Sequence, residues 1–412
     1  MRGRRSTSIL VFRLALLPLC GALGCAGASE PPPSALILVG LEPVSPEAEV
    51  VGRETDPEAA GKGVSSGGRI VAVDSSRPEG RGRWITRGFW SASEPAVSYD
   101  GRTFLFAGRR EHSELPRIWE MRIDGSGARA ITDGSGDPRH ARYLPDGRIV
   151  FSDLSEEPGT KGKKGGRSLF VCNPDGSQLR RITFGTGEAS RPSVLKDGRI
   201  LFAHRPNRGG HENNATSTLW MTVRPDGSGI ARFPGVATIT RAALPPGWKP
   251  AEPYRTVSAV AAAPRPAPRA LTSVVNDATE SGRLLCLDVR ESRLSEVSSL
   301  DPGAIVAVRV LGSGRGEQEL LLNQARVEPD GSFFLEVPAN VPLRLVLVGS
   351  DGRTVAGCDG NLWVRPNENR ACIGCHEHPE RSPENRVPLA VRRQPAPLVA
   401  DAAARGAAGS GR

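Results

Sequence analysis

Residues 118–132 read IWEMRIDGSGARAIT, and the pattern returns at 169–183 (LFVCNPDGSQLRRIT) and 219–233 (LWMTVRPDGSGIARF). The turn aspartates Asp124, Asp175 and Asp226 are 51 and 51 residues apart. A second element repeats between them: PAVSYDGRTFLFAG from Pro95, ARYLPDGRIVFSD from Ala141 and PSVLKDGRILFAH from Pro192. In the first copy Trp119, Met121 and Ile123 alternate with Ile118, Glu120 and Arg122, the period of a strand. Asp-Gly between two such runs is a strong hairpin signal, because both residues tolerate positive φ. Each period of about 50 residues therefore holds two hairpins, or four strands, which is one blade of a β-propeller. The aspartates are read as turn formers rather than as ligands.

Composition agrees. Gly 48 and Pro 35 are high, the apolar share is 38%, and aromatics are 5%. Long Gly/Pro-poor apolar runs are missing, which argues against a multi-span membrane protein or a long helical bundle. The predicted class is all-β: a short or incomplete propeller followed by a small antiparallel β-sandwich.

Residues 1–28 read as an export signal. Arg2, Arg4 and Arg5 precede an apolar stretch from Ile9 to Leu23, and Ala26-Gly27-Ala28 suits a signal peptidase. Ala22-Leu23-Gly24-Cys25 is also an imperfect lipobox, which would make Cys25 a lipid anchor. Periplasm or a membrane-anchored lipoprotein is the expected location. This segment carries four arginines and no acid, whereas residues 29–67 carry seven acids against Arg53 and Lys62. Of the overall +9, residues 68–412 therefore hold +10. The basic residues are scattered, apart from Lys161, Lys163, Lys164 and Arg167, so no nucleic-acid partner is expected. The expected organisation is a disordered acidic linker at 29–67, blades at 68–234, a Pro/Ala-rich linker at 235–280, a β domain at 281–395 and a disordered tail at 396–412. Residues 68–90 read as a partial fourth blade, and 282–297 as a degenerate outer hairpin.

In the second domain, 304–311, 319–327, 332–337, 343–349 and 361–364 read as short strands separated by turn signals such as Pro329-Asp330-Gly331. The domain runs into Arg-Ala-Cys-Ile-Gly-Cys-His-Glu at 370–377. Cys372, Cys375 and His376 form C-x-x-C-H, the attachment motif of c-type haem. Two cysteines three apart can each form a thioether to a neighbouring vinyl group, and the next histidine reaches the iron. With seven cysteines and six histidines in 412 residues, roughly 0.002 chance matches are expected. Three other chemistries stay open on the residues alone. Cys372, Cys375, His376 and His378 could bind zinc, although the two histidines are unusually close for such a site. A redox dithiol lacks its usual βαβ context, and a disulfide staple would suit an exported domain.

The repeats resemble the TolB-like β-propeller family. Together with the stretches at 327–343 and 363–377, the chain resembles the hydrazine synthase alpha-subunit-like proteins. That resemblance implies one covalent haem c held by Cys372 and Cys375, with His376 as the metal ligand. It also implies a tyrosine ligand four residues after the motif histidine, where this chain has Glu380, and a second haem motif, which this sequence lacks. Hydrazine synthesis is accordingly not expected. Met121 and Met221 are expected in blade cores, and His112, His140, His204 and His211 in or near propeller loops. Cys286 and Cys358 are expected as partners, and Cys172 as a core thiol. The implied function is an exported mono-haem cytochrome-like protein in electron transfer or redox sensing, docking a redox partner protein of the envelope through its propeller. The alternative is a non-enzymatic propeller binding module with a vestigial motif.

Overall fold

The computed structural model describes residues 36–43, 67–76, 82–156, 164–206, 218–234, 242–292, 295–301, 303–313, 319–358, 362–374 and 386–399. The export signal, including Cys25, lies outside them. Fifteen strands come first: β1 (Leu36–Pro43), β2 (Arg69–Asp74), β3 (Arg83–Trp84), β4 (Ser91–Val97), β5 (Thr103–Arg109), β6 (Arg117–Arg122), β7 (Arg129–Ala130), β8 (Arg139–Tyr143), β9 (Ile149–Glu156), β10 (Lys164–Cys172), β11 (Arg180–Arg181), β12 (Glu188–Val194), β13 (Ile200–Arg205), β14 (Leu219–Val223) and β15 (Ala231–Arg232). Three blades follow chain order as β4-β5-β6-β7, β8-β9-β10-β11 and β12-β13-β14-β15.

The repeated Asp-Gly-Ser explains how the blades stack. Asp124 accepts the Ser126 amide at 2.8 Å and its hydroxyl at 2.6 Å, and Asp226 does the same for Ser228 at 3.0 and 2.7 Å. Gly176 sits at φ 86 with its α-carbon against the Ile131 carbonyl of the preceding blade. Gly125 and Gly227 press in the same way on the carbonyls of Ile85 and Ile182. A glycine is needed there for conformation and for close approach alike. Phe104, Phe106, Phe151 and Phe202, one to two per blade, are fully buried between the sheets.

The first blade, which precedes those three, is assembled from both ends of the propeller, and here two expectations are corrected. Residues 29–67 are not wholly a disordered linker: β1 pairs with β2 on one side, with Leu38 and Val39 fully buried. Residues 235–280 are not simply a linker either. They contain β16 (Tyr254–Ala262), which pairs antiparallel with β1 on its other side, giving the order β16-β1-β2-β3. Local composition hid both strands, because each finds its apolar partner some 200 residues away. Beyond β16 the chain stays ordered as a strap over the inner hairpin turns. Arg265 donates from its backbone to Tyr99 O at 2.9 Å and from its guanidinium to Ser98 O and Val97 O at 2.8 and 2.7 Å. Further along, Arg224 donates to Thr272 O at 2.7 Å, and Val274 N–H to Asp226 Oδ2 at 2.9 Å. A proline-rich segment suits such a crossing, since it brings few amide donors to bury.

The second domain contains β17 (Ser281–Cys286), one helical turn α1 (Ser295–Ser298), β18 (Ile305–Ser313), β19 (Glu319–Arg326), β20 (Phe333–Pro338), β21 (Arg344–Gly349), β22 (Thr354–Gly357) and β23 (Asn369–Cys372). Its two sheets, β20-β17-β23 and β19-β18-β21-β22, enclose Leu284, Val308, Val310, Leu335, Val337 and Leu347. The sandwich is antiparallel except at β23, which joins β17 in parallel. Residues 282–297 are therefore no outer hairpin of a blade. The strand expected at 361–364 is only a bridge between Leu343 and Leu362, since Trp363 is drawn into the propeller. The start of the expected tail is also ordered: Ala396 N–H donates to Phe334 O at 3.0 Å, and Ala396 O accepts Glu336 N–H at 2.9 Å. Residues 400–412 lie outside the described residues.

The two domains share a dense junction. Trp363 Nε1–H donates to Gly227 O at 2.9 Å, and its ring meets Phe184 edge-on at 6.4 Å. Arg365 stacks over Phe184 at 4.9 Å and donates to Asp226 O at 2.9 Å. Glu368 accepts Gly229 N–H at 2.9 Å, and Arg370 donates to Ile230 O. The apolar face of the last blade is thereby covered by the β domain.

Candidate functional site

The C-x-x-C-H motif begins on an edge strand. Cys372 ends β23, in register with Cys286 of β17, and its carbonyl accepts Leu287 N–H at 3.0 Å. Ile373 O then accepts Asp288 N–H at 3.0 Å. Gly374 lies against the backbone oxygens of Glu291 and Asp288, so closely that a Cβ would overlap Glu291 O. Cys375 and His376, with His378 and Glu380, lie outside the described residues.

The chain returns to the same corner at Arg386. Asp288 receives two bonds from the Arg290 guanidinium at 2.8 Å each, one from the Arg290 amide at 3.0 Å and one from Arg386 at 3.3 Å. Asp330 Oδ2 accepts Leu389 N–H at 2.8 Å, and Ser332 Oγ accepts Ala390 N–H at 3.0 Å. Against the cost of its burial, hydrogen bonds from the Ser332 hydroxyl and from the Leu389 and Ser332 amides hold the Asp330 carboxyl below the usual carboxylate range, and Arg386 adds to the lowering. Gly374 and residues 386–390, which flank the segment carrying Cys375 and His376, thus contact the same pair of turns.

Cys372 is half-buried on β23, the edge strand of its sheet. Among the described residues no group of three or more His, Cys, Asp or Glu is arranged to hold a metal.

Of the other cysteines, Cys286 and Cys358 are not paired with each other, contrary to expectation. Cys286 belongs to the sheet containing Cys372, whereas Cys358 follows β22 in the facing sheet and accepts Leu345 N–H at 3.1 Å through Sγ. Cys172 is a buried core thiol, as read, and burial pushes its pKa up to about 11. Met121 is buried in a blade core.

The histidines are a clearer correction. His204 is buried in β13 and His140 lies in β8; neither is a loop residue. His112 is in a turn against Trp90, and His211 is outside the described residues. His140 belongs to a polar centre formed where β4, β8 and β12 meet. Each of these strands bulges, between 93/96, 139/142 and 190/193, and each bulge holds a non-glycine residue at positive φ: Glu94 at 60, His140 at 55 and Arg191 at 53. Glu94 accepts the His140 amide at 2.6 Å and faces its Nε2 at 3.1 Å. Desolvation lowers the His140 pKa to about 4 despite Glu94, with Arg142, Arg191 and Arg139 adding to the effect. His140 is therefore neutral at pH 7, and the Glu94 contact is a hydrogen bond from imidazole to carboxylate. The sequence signal was the residue before Pro95, Ala141 and Pro192, at the same place in three repeats.

Comparison with known proteins agrees with this architecture. Residues 284–377 match the family model for the hydrazine synthase alpha subunit middle domain. Hydrazine synthase subunit alpha of Kuenenia stuttgartiensis is 34% identical over 124 residues, which is 27% of this chain and 15% of that protein. The aligned part thus spans less than a sixth of the curated relative. The solved structure of Kuenenia stuttgartiensis hydrazine synthase superposes with a TM-score of 0.70 at 17% identity, covering 87% of this chain and 72% of that one. TolB of Acinetobacter baumannii gives a TM-score of 0.31 at 18% identity, over 66% of this chain and 49% of that one. The chain is thus similar to the hydrazine synthase alpha subunit in sequence over part of its length, and residues 284–377 match the middle-domain model of that subunit.

Proposed function

We propose that this chain is an exported mono-haem c-type cytochrome-like protein of the cell envelope, acting in electron transfer or haem-based redox sensing. The observation that carries the reading is Cys372-Ile373-Gly374-Cys375-His376 within a domain matching the hydrazine synthase alpha middle domain. Cys372 and Cys375 would anchor the haem, and His376 would ligate its iron. The bound haem would supply one-electron exchange at that iron. The protein's own part is to present Cys372 on an edge strand and to hold both ends of the motif segment at the Asp288 corner. The propeller is the docking surface for a redox partner protein, and Cys25 is the lipid attachment point if the lipobox is used.

Glu380, where the resemblance implies a tyrosine, sets hydrazine synthesis outside this proposal. Pyridine haemochrome spectra of protein matured in a bacterial periplasm test it. One covalent haem per chain is expected in the wild type, with a clear loss in Cys375→Ser. Unchanged haem content in that variant, or none in the wild type, overturns the reading in favour of a propeller binding module with a vestigial motif.

A further inference from the structure

We propose that Cys286 is a redox partner of Cys372, and that a reversible Cys286–Cys372 disulfide closes the haem-attachment site. The proposal of attachment competition rests on the haem reading above; the disulfide itself does not. Cys286 and Cys372 are register partners on the neighbouring parallel strands β17 and β23. Side chains of register partners project to the same face of a sheet. Neighbouring strands run about 4.8 Å apart, which falls within the roughly 4.4–6.8 Å between α-carbons that a disulfide spans. The ladder continues past the pair through Leu287 N–H to Cys372 O and Asp288 N–H to Ile373 O, both at 3.0 Å, so the two residues are held at this spacing.

The pair is asymmetric, and that orders the chemistry. Cys372 is half-buried on the edge strand, whereas Cys286 is 1% exposed in the domain core beside Phe333. A disulfide-bearing oxidant, either a small molecule such as oxidised glutathione or a protein disulfide, can reach Cys372. The Cys372 thiolate attacks it, forming a mixed disulfide and releasing one thiol. Cys286 then displaces the second thiol. Overall, two electrons and two protons pass from the cysteine pair to the oxidant. Thioether formation instead adds the Cys372 S–H across a vinyl C=C, with the sulfur joined to one carbon and the hydrogen to the other. A sulfur already bound to Cys286 has no hydrogen to add, so oxidation at β17/β23 and haem attachment exclude each other.

Haem-free protein incubated with oxidised glutathione and digested with trypsin tests the disulfide. The linked peptides are 284–290 and 371–381. Because the second peptide also holds Cys375, the decisive sample is Cys375→Ser. There the 284–290/371–381 link is expected, to be removed by dithiothreitol and to be absent in Cys372→Ser. Cys286→Ala and Cys286→Ser, confirmed as folded by circular dichroism, should each lose it. Glutathione adducts without the link in folded Cys375→Ser overturn the proposal, as does a link from Cys286 to Cys375 alone. Competition is read separately, by attaching haem in vitro to pre-oxidised and pre-reduced wild type. At least a tenfold lower covalent haem content is expected after oxidation, and equal contents overturn the competition. If neither sample takes up haem, the attachment reading fails while the peptide result still decides the disulfide.

Discussion

Gly374 has little room at its α-carbon. Its α-carbon faces the backbone oxygens of Glu291 and Asp288, and both belong to a hydrogen-bonded turn that cannot retreat easily. Gly374→Ala should therefore cost about 1–3 kcal/mol by overpacking, read as a lower chemical-denaturation midpoint. The same variant should lower covalent haem in periplasm-matured protein. At the blade centre, His140 is held neutral with a pKa of about 4, below its ordinary 6.5. The unfolded chain binds a proton there that the folded one refuses, so stability falls as pH drops from about 6.5 towards 4. Glu94, also lowered, works in the same direction, since its ionised form is the one the fold favours. Thermal melts across pH 7 to 4 should show this acid sensitivity, and His140→Gln should flatten it. Cys172, with its pKa pushed to about 11, should resist iodoacetamide at pH 8 in the native protein and react once unfolded.

The most informative element is β1. Leu38 is fully buried between β2 and β16, so Leu38→Ala should destabilise the propeller by about 2–5 kcal/mol. Hydrogen exchange should then rise in β16 as well as in β2, because both lose their shared neighbour. If residues 29–67 acted only as a linker, neither stability nor exchange would move. Most of blades two to four was legible at this scale: alternation, Asp-Gly turns and the 51-residue period all express local backbone preferences. Blade one was only half legible, because 68–90 supplies two of its strands while the other two come from stretches with linker-like composition. The β-domain strands were legible apart from 361–364. The parallel seat of β23 was not, since pairing direction depends on where the chain has already been.

For the whole molecule, the decisive contact is the junction between the fourth blade and the β domain. Trp363 is buried there with Phe184, and it donates to Gly227 O. Trp363→Ala should cost about 3–5 kcal/mol, and by calorimetry the variant should unfold in two transitions where the wild type is expected to unfold in one. A single transition of unchanged midpoint would show that the domains do not depend on each other. The sequence by itself determined the repeat, the turn chemistry, the all-β class and the C-x-x-C-H motif, because each is written in neighbouring residues and their spacing. Tertiary structure alone decided that β1 and β16 complete a blade, that Glu94, His140 and Arg191 meet, and that Cys286 lies beside Cys372. Those outcomes depend on which distant apolar faces bury each other, and no local preference encodes the choice of partner.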